Sequence, residues 1–291
     1  MTTLQPDSPS SRPGFSEFKR ILANENWFEV YQVTDNLFAI HEPRHYEGTT
    51  INLLVGEKTA ALIDTGCGIG DLHRVVKEIT SKPILVINTH THLDHLGSNH
   101  QFGDIAMLDH PLTRRILSEG VSVESYQTEI LAENLVQLPW PSGFDPKRSS
   151  LLPFKVIRWL ADSDQIDIGG ATLEVLSTPG EAPDNICLLD SNNRLLFSSD
   201  ILLHGGIWTH TDGGRVTDLV GSYRKLMHHF DDFDHIMPSH GQPWLEKSLL
   251  PASLAGAEQV LSGTVPPTKF IDPWGRVLKK YSFDRFNIQT R

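Results

Sequence analysis

Asn88-Thr89-His90-Thr91-His92-Leu93-Asp94-His95 is the stretch around which this chain is organised. Four metal-capable side chains, His90, His92, Asp94 and His95, fall within six positions. An apolar run, Pro83-Ile84-Leu85-Val86-Ile87, precedes them, and a turn, Leu96-Gly97-Ser98-Asn99, follows. The pattern reads as a buried strand that delivers its C-terminal end into a polar site. Alternate residues of an extended segment share a face, so His90 and His92 can aim the same way. Asp94 and His95 lie just beyond, where the chain turns. One pair can therefore serve one metal and the next pair another. Two ligands do not make a stable site, so more must arrive from distant loops.

Three later loops supply candidates, each at the end of an expected strand. They are Ser177-Thr178-Pro179-Gly180-Glu181, Ser198-Ser199-Asp200 and Pro238-Ser239-His240-Gly241. Upstream lies Leu62-Ile63-Asp64-Thr65-Gly66. Taken together, these motifs resemble the metallo-β-lactamase superfamily over most of the chain, from about Thr49 to His240. The resemblance implies roles residue by residue. His90 and His92 would sit on a first metal, Asp94, His95 and His240 on a second, and Asp200 between the two. Asp64 would hold the histidine loop by hydrogen bonds from behind.

The family usually places a histidine after Thr-Pro-Gly, and this chain has Glu181 there. Three readings stand side by side. Glu181 replaces the histidine as ligand, as in the alkylsulfatase branch; or the first site is weakened and one metal binds tightly; or the site has decayed and the fold serves binding. The third is disfavoured, because six of the seven ligand positions are intact. The first is preferred to the second, because the Glu side chain is long enough and a carboxylate is a good ligand for such metals. A third carboxylate makes the cluster less positive and its bound water less acidic. It also admits manganese or iron beside zinc, which the family makes the first expectation.

Working outward, Phe28–Val33 with Leu37–His41 and Thr49–Val55 with Thr59–Ile63 read as strand hairpins, and Asp71 caps a helix to about Thr80. Further strands are expected at Ile105–Leu108, Gln165–Ile168, Thr172–Ser177, Asn185–Leu189, Arg194–Ser198 and Asp234–Pro238. Helices fit Asp218–His229 and Lys247–Leu261, and one strand fits Arg276–Phe283. Hairpins followed by a helix thus occur in both halves. Two such halves packed sheet to sheet give an α/β fold, a four-layer αββα sandwich with its polar loops along one edge. Residues 111–153 read as a helical insertion, helical to about Leu138, within a single domain of residues 23–291. Residues 1–22 read as a flexible arm.

The net charge of −11 argues against a nucleic-acid surface, which needs clustered Lys and Arg. No run approaches a membrane span, and the start lacks the apolar stretch of a secretory signal. The two cysteines, Cys67 and Cys187, read as reduced thiols of a cytoplasmic protein. The oligomeric state is left open. The loop Leu203–Arg215 follows Asp200 and carries two Gly-Gly pairs. It makes His204, Trp208, His210 and Arg215 candidate walls of a substrate pocket. His100, His110 and the pair His228-His229 read as structural.

The resemblance implies a dinuclear-metal hydrolase that turns a metal-bound hydroxide, with Asp94 as catalytic group, on a small ester, thioester or lactone. Alternatives from the same fold are a sulfate-ester hydrolase, kept open by Glu181, a di-iron redox protein and a catalytically silent sensor.

Overall fold

A computed structural model describes residues 14–21 and 23–291. Its first sheet runs in sequence order: β1 (Lys19–Ile21), β2 (Glu29–Gln32), β3 (Leu37–His41), β4 (Thr50–Val55), β5 (Ala60–Ile63), β6 (Ile84–Ile87), β7 (Asp104–Leu108) and β8 (Arg158–Leu160). Pairing is antiparallel as far as β5 and parallel from β5 to β8. The parallel step from β5 to β6 needs a crossover, supplied by α1 (Leu72–Ile79), whose first turn is capped by Asp71.

The second sheet holds β9 (Gln165–Asp167), β10 (Thr172–Ser177), β11 (Ile186–Asp190), β12 (Leu195–Ser199), β14 (His235–Pro238) and β15 (Leu245–Glu246). Its order is β15-β14-β12-β11-β10-β9. The same device recurs here: β12 and β14 pair in parallel, joined through α5 (Val216–Met227). The remaining long helix is α6 (Leu249–Ser262).

Neighbouring apolar residues of one strand feed different cores, because successive side chains point to opposite faces. Leu54, Ile63 and Ile87 meet Leu188, Leu195 and Phe197 in a core between the sheets. Their neighbours Leu53, Leu62 and Val86 pack outward on Val75 and Val76 of α1. Leu189 and Leu196 pack outward on Leu219, Leu226 and Leu250 of α5 and α6. Three stacked cores define four layers, helix, sheet, sheet, helix, which is the αββα sandwich expected. Along one edge lie the loops after β5, β6, β10, β12 and β14, and these carry every candidate ligand.

Three details depart from the sequence reading. Of the arm expected at 1–22, residues 1–13 and 22 lie outside the described residues, while 14–21 are built into the fold. Phe15 is buried, with its ring 4.8 Å from Tyr31, and β1 pairs with β2. Phe15 and Phe18 pack with Tyr31 and Ala39, and Ile21 packs on the core beneath α1. In the insertion, helix is confined to α3 (Pro111–Glu119) and α4 (Val123–Glu129). Gly120, with φ 72°, ends α3 before the next cap. Beyond it, Ile130, Leu135 and Val136 are buried without being helical. They pack beside residues 44–46, where Tyr46 N donates to Leu135 O at 2.7 Å. Finally, the tail forms a separate sheet of β16 (Thr268–Ile271), β17 (Val277–Ser282) and β18 (Phe286–Thr290). Its fourth strand, β13 (Gly205–Trp208), comes from the loop after Asp200. The glycines of Gly205-Gly206-Ile207-Trp208 had marked that segment as loop.

Candidate metal centre

The ligand-bearing loops are shaped before any ligand is considered. Asp64 follows β5 and Ser199 ends β12, and both are left-handed, with φ of 65° and 52°. A non-glycine residue there costs on the order of 1–3 kcal/mol and persists only where its surroundings hold it. Asp64, fully buried, accepts from Thr89 N at 2.7 Å and Thr89 Oγ1 at 2.8 Å. It also accepts from His95 Nδ1 at 2.9 Å. Ser199 Oγ donates to Asn185 Oδ1 at 2.7 Å. Asn88 donates to the His95 carbonyl at 2.9 Å and accepts from Asn99 at 2.8 Å, which fixes the loop's turn. The turn includes α2 (Leu93–Leu96). A Cβ on Gly97 would lie 2.2 Å from the Cys67 carbonyl carbon, so only glycine lets this turn touch the Asp64–Gly68 loop.

All seven expected ligands converge. His92 Nδ1 lies 3.0 Å from Glu181 Oε1, and His90 Nε2 lies 3.5 Å from Glu181 Oε2. Asp200 Oδ2 is 3.0 Å from His240 Nε2, 3.3 Å from His95 Nε2 and 3.9 Å from His90 Nε2. Asp94 Oδ2 is 3.2 Å from His95 Nε2 and 3.4 Å from His240 Nε2. Potential ligand atoms lie within 4.8 Å of one another in each of three groups: His90, His92 and Glu181; His90, His95 and Asp200; Asp94, His95 and His240.

The far nitrogens explain the orientation. His95 Nδ1 donates to Asp64, and His240 Nδ1 donates to the Glu47 carbonyl at 2.8 Å. His90 Nδ1 donates to Thr89 Oγ1 at 3.0 Å, whose own proton goes to Asp64. Each of these three imidazoles therefore turns its Nε2 inward, as metal-ligating histidines do. His90 Nε2, His95 Nε2, Glu181 Oε2 and Asp200 Oδ1 are buried with no hydrogen-bond partner. Leaving such atoms unpaired costs about 1–3 kcal/mol each. A divalent cation among them would remove that cost, and the donor set of imidazoles and carboxylates suits it.

The protonation pattern agrees. Burial opposes charge on His92, but the Glu181 carboxylate outweighs it and lifts the pKa to about 9. Burial opposes charge on His240 too, and Asp200 lifts it to about 10. His90, with burial and two neighbouring imidazoles against it, stays well below the usual value. Protons occupy the place that a metal would contest.

The expected pocket walls divide. Trp208 and His210 lie near each other, with rings 5.2 Å apart. Thr211 Oγ1 donates to the Glu181 carbonyl at 2.7 Å, which seats their loop against the site. His204 lies instead beside Gly241. Arg215 starts α5, and its exposed guanidinium is spent on Asp218 at 2.7 Å. His100 and His110 make local backbone bonds. The sequence reading passed over Thr49, which donates to Asp94 Oδ2 at 3.3 Å. It also passed over Glu42, which accepts from Trp27 Nε1 and Cys67 N at 2.7 and 2.8 Å beneath the loop. Its burial lifts that carboxyl to about 7. No sequence pattern marks Thr49 or Glu42 for these bonds, because the contacts are tertiary alone.

Comparison with known proteins follows the same lines. The sequence model of the metallo-beta-lactamase superfamily matches residues 47–232. The human acyl-coenzyme A thioesterase MBLAC2 is 28% identical over 230 residues, 74% of this chain and 81% of that protein. The hydroxyacylglutathione hydrolase GloC of Haemophilus influenzae is 27% identical over 194 residues, 64% of this chain and 81% of that one. Among solved structures, a metallo-beta-lactamase from Pontibacter korlensis superposes with a TM-score of 0.57 at 20% identity. That match covers 79% of this chain and 99% of the other. The sec-alkylsulfatase Pisa1 from a Pseudomonas species gives 0.58 at 15% identity, covering 80% of this chain and 41% of that one. At such identities these two likenesses speak for the fold alone.

Proposed function

The chain belongs to the metallo-β-lactamase superfamily and is a metal-dependent hydrolase, and from that premise we propose that it cleaves thioesters at a dinuclear centre. One observation carries the reading. Two relatives that each match most of their own length are named for removing an acyl group from a thiol-bearing carrier. In this chain seven potential ligands converge in overlapping groups.

In this reading His90, His92 and Glu181 hold one ion, and Asp94, His95 and His240 the other, with Asp200 shared. Zinc is the first expectation, and the carboxylate of Glu181 widens the choice to manganese or iron. Two divalent ions there would supply an activated water and positive charge beside the oxygen that becomes negative. The chain's own part is positional. Thr89, Asp64 and the Glu47 carbonyl keep His90, His95 and His240 aimed inward. Asp94 is the catalytic group. Its Oδ2, held by Thr49 and facing His95 Nε2 and His240 Nε2, would be the oxygen toward the ion, and Oδ1 would remain to accept a hydrogen bond from water. No separate Ser or Cys nucleophile is required. Both cysteines are free and buried, which suits the cytoplasmic setting we assign. Among the described residues no helix is long and apolar enough to cross a membrane.

The experiment is an assay of S-acyl-coenzyme A, S-acylglutathione, simple esters, lactones and sulfate esters, with zinc, manganese or iron added. Thioester turnover that disappears in Asp94→Ala supports the proposal. Turnover of sulfate esters alone, or of nothing, overturns it.

A further inference from the structure

The tail sheet ends in a hairpin tip, Asp272-Pro273-Trp274-Gly275-Arg276, between β16 and β17. The tip is locked from within. Buried Asp272 accepts from Trp274 N at 3.1 Å and Arg276 N at 2.7 Å. Gly275, with φ 82°, closes the turn, and Asn134 of the insertion donates to the Pro273 carbonyl at 2.9 Å. Such a turn holds two large side chains in place at little cost in ordering.

Those side chains complete an aromatic arc. Tyr46 meets Trp274 edge-on at 5.8 Å, Trp274 meets Trp208 at 5.5 Å, and Trp208 meets His210 at 5.2 Å. The backbone at both ends of the arc is tied to ligand-bearing segments. Tyr46 precedes Glu47, whose carbonyl accepts from His240, and His210 precedes Thr211, which donates to the Glu181 carbonyl. His210 lies within electrostatic reach of both Arg276 and the ligand His92, which puts this end of the arc beside the first ligand group. Over the middle of the arc lies the Arg276 guanidinium, 4.9 Å from the Trp274 ring and 6.0 Å from the Trp208 ring. Its Nε is bonded to Asp272. Its Nη groups have no hydrogen-bond partner among the described residues, and 46% of the side chain is exposed. His210 is 2% exposed, and neither ring nitrogen has a partner of normal geometry. Other charges in reach include Glu129, which feels both His92 and Arg276, Glu47, which acts on Tyr46, and Arg291, whose Nε donates to the His210 carbonyl at 2.8 Å.

We propose that Arg276, set on Trp208 and Trp274, is the subsite for an anionic group on the thiol carrier of the substrate, with the aromatic arc as its floor. This rests on the thioester reading above. A guanidinium presents planar donors that match a carboxylate or a phosphate, and aromatic faces beside it take a flat or apolar part of the same carrier. The carrier is thus an anionic thiol. Coenzyme A would meet the subsite through phosphate and glutathione through carboxylate.

The test is binding rather than turnover. Coenzyme A, glutathione and the uncharged thiol pantetheine are titrated into the metal-loaded protein and followed by tryptophan fluorescence and calorimetry. All three carry a thiol; coenzyme A and glutathione add anionic groups along with an adenosine or a peptide part, and the salt and Arg276 arms isolate the charge from those parts. At least one anionic thiol should bind about tenfold or more tighter than pantetheine, with coenzyme A or glutathione leading according to the source. Added salt should erase the gap. Arg276→Ala should erase it as well and leave pantetheine binding unchanged, while Arg276→Lys keeps part of it. Equal binding of all three thiols by the native protein overturns the proposal. So does an Arg276→Ala variant that weakens all three alike. If the gap is present but no thioester is hydrolysed, the subsite stands and the thioesterase reading falls.

Discussion

In the group of Asp94, His95 and His240, both imidazoles are tied from behind, one to the Asp64 carboxylate and one to the Glu47 carbonyl. In the group of His90, His92 and Glu181, His90 is tied in the same way through Thr89. His92 is not. It turns Nδ1 itself to Glu181 Oε1, and its side chain is 29% exposed, against none for His90 and His95. The first group is thus closed by its own carboxylate, and the second by a scaffold that reaches into β5 and the segment before β4. The difference teaches that the two sites can fail separately. The second depends on residues that hold ligands, whereas the first depends on the single ligand Glu181.

Asp200 Oδ2 lies near His90 of one group and near His95 and His240 of the other, so Asp200→Ala should have the largest effect. Both ions should be lost and turnover should fall by more than the roughly 100-fold upper end for outer partners, read by metal analysis and steady-state kinetics. Retention of two ions would show that Asp200 is not shared between them. Next, Glu181→Ala should remove one ion and leave the other, giving about one bound ion per chain in place of two. Loss of both would show that the groups are not separable. Third, Asp64→Asn should weaken the second group by about 10–100-fold in metal affinity. The first group should be less affected, because His90 reaches Asp64 only through Thr89; competition with a chromogenic chelator measures this. The smallest effect is expected from Thr49→Val, which removes a single bond to Asp94. About 1 kcal/mol, or a roughly fivefold loss in kcat/KM, should follow.

Much of this arrangement was legible in the chain because it is written locally. His90, His92, Asp94 and His95 lie in one strand-to-helix turn, and Asp64, Glu181, Asp200 and His240 each follow an apolar run that ends in a polar loop. Period-two alternation placed the strands, and the repeated hairpin-helix order placed the layers. The echo runs deeper than the pattern showed, since the left-handed residues Asp64 and Ser199 occupy matching corners of the two halves. What stayed hidden depends on non-local contact. Thr49 looks like any strand threonine until β4 is set beside α2. Phe15 looks like part of a polar arm until Tyr31 is beside it. Arg276 and Trp274 lie more than 180 residues from His92, and no spacing rule links a tail hairpin to a histidine loop. Arg215, read as a pocket wall, had Asp218 three residues away to take its charge.

Glu181, in this account, closes the first of two metal sites. Anomalous diffraction from crystals of the metal-loaded protein tests it most directly. Two peaks are predicted, one among His90, His92 and Glu181 and one among Asp94, His95 and His240, with Asp200 between them. A single peak in the second group, with the Glu181 carboxylate turned away, would contradict it.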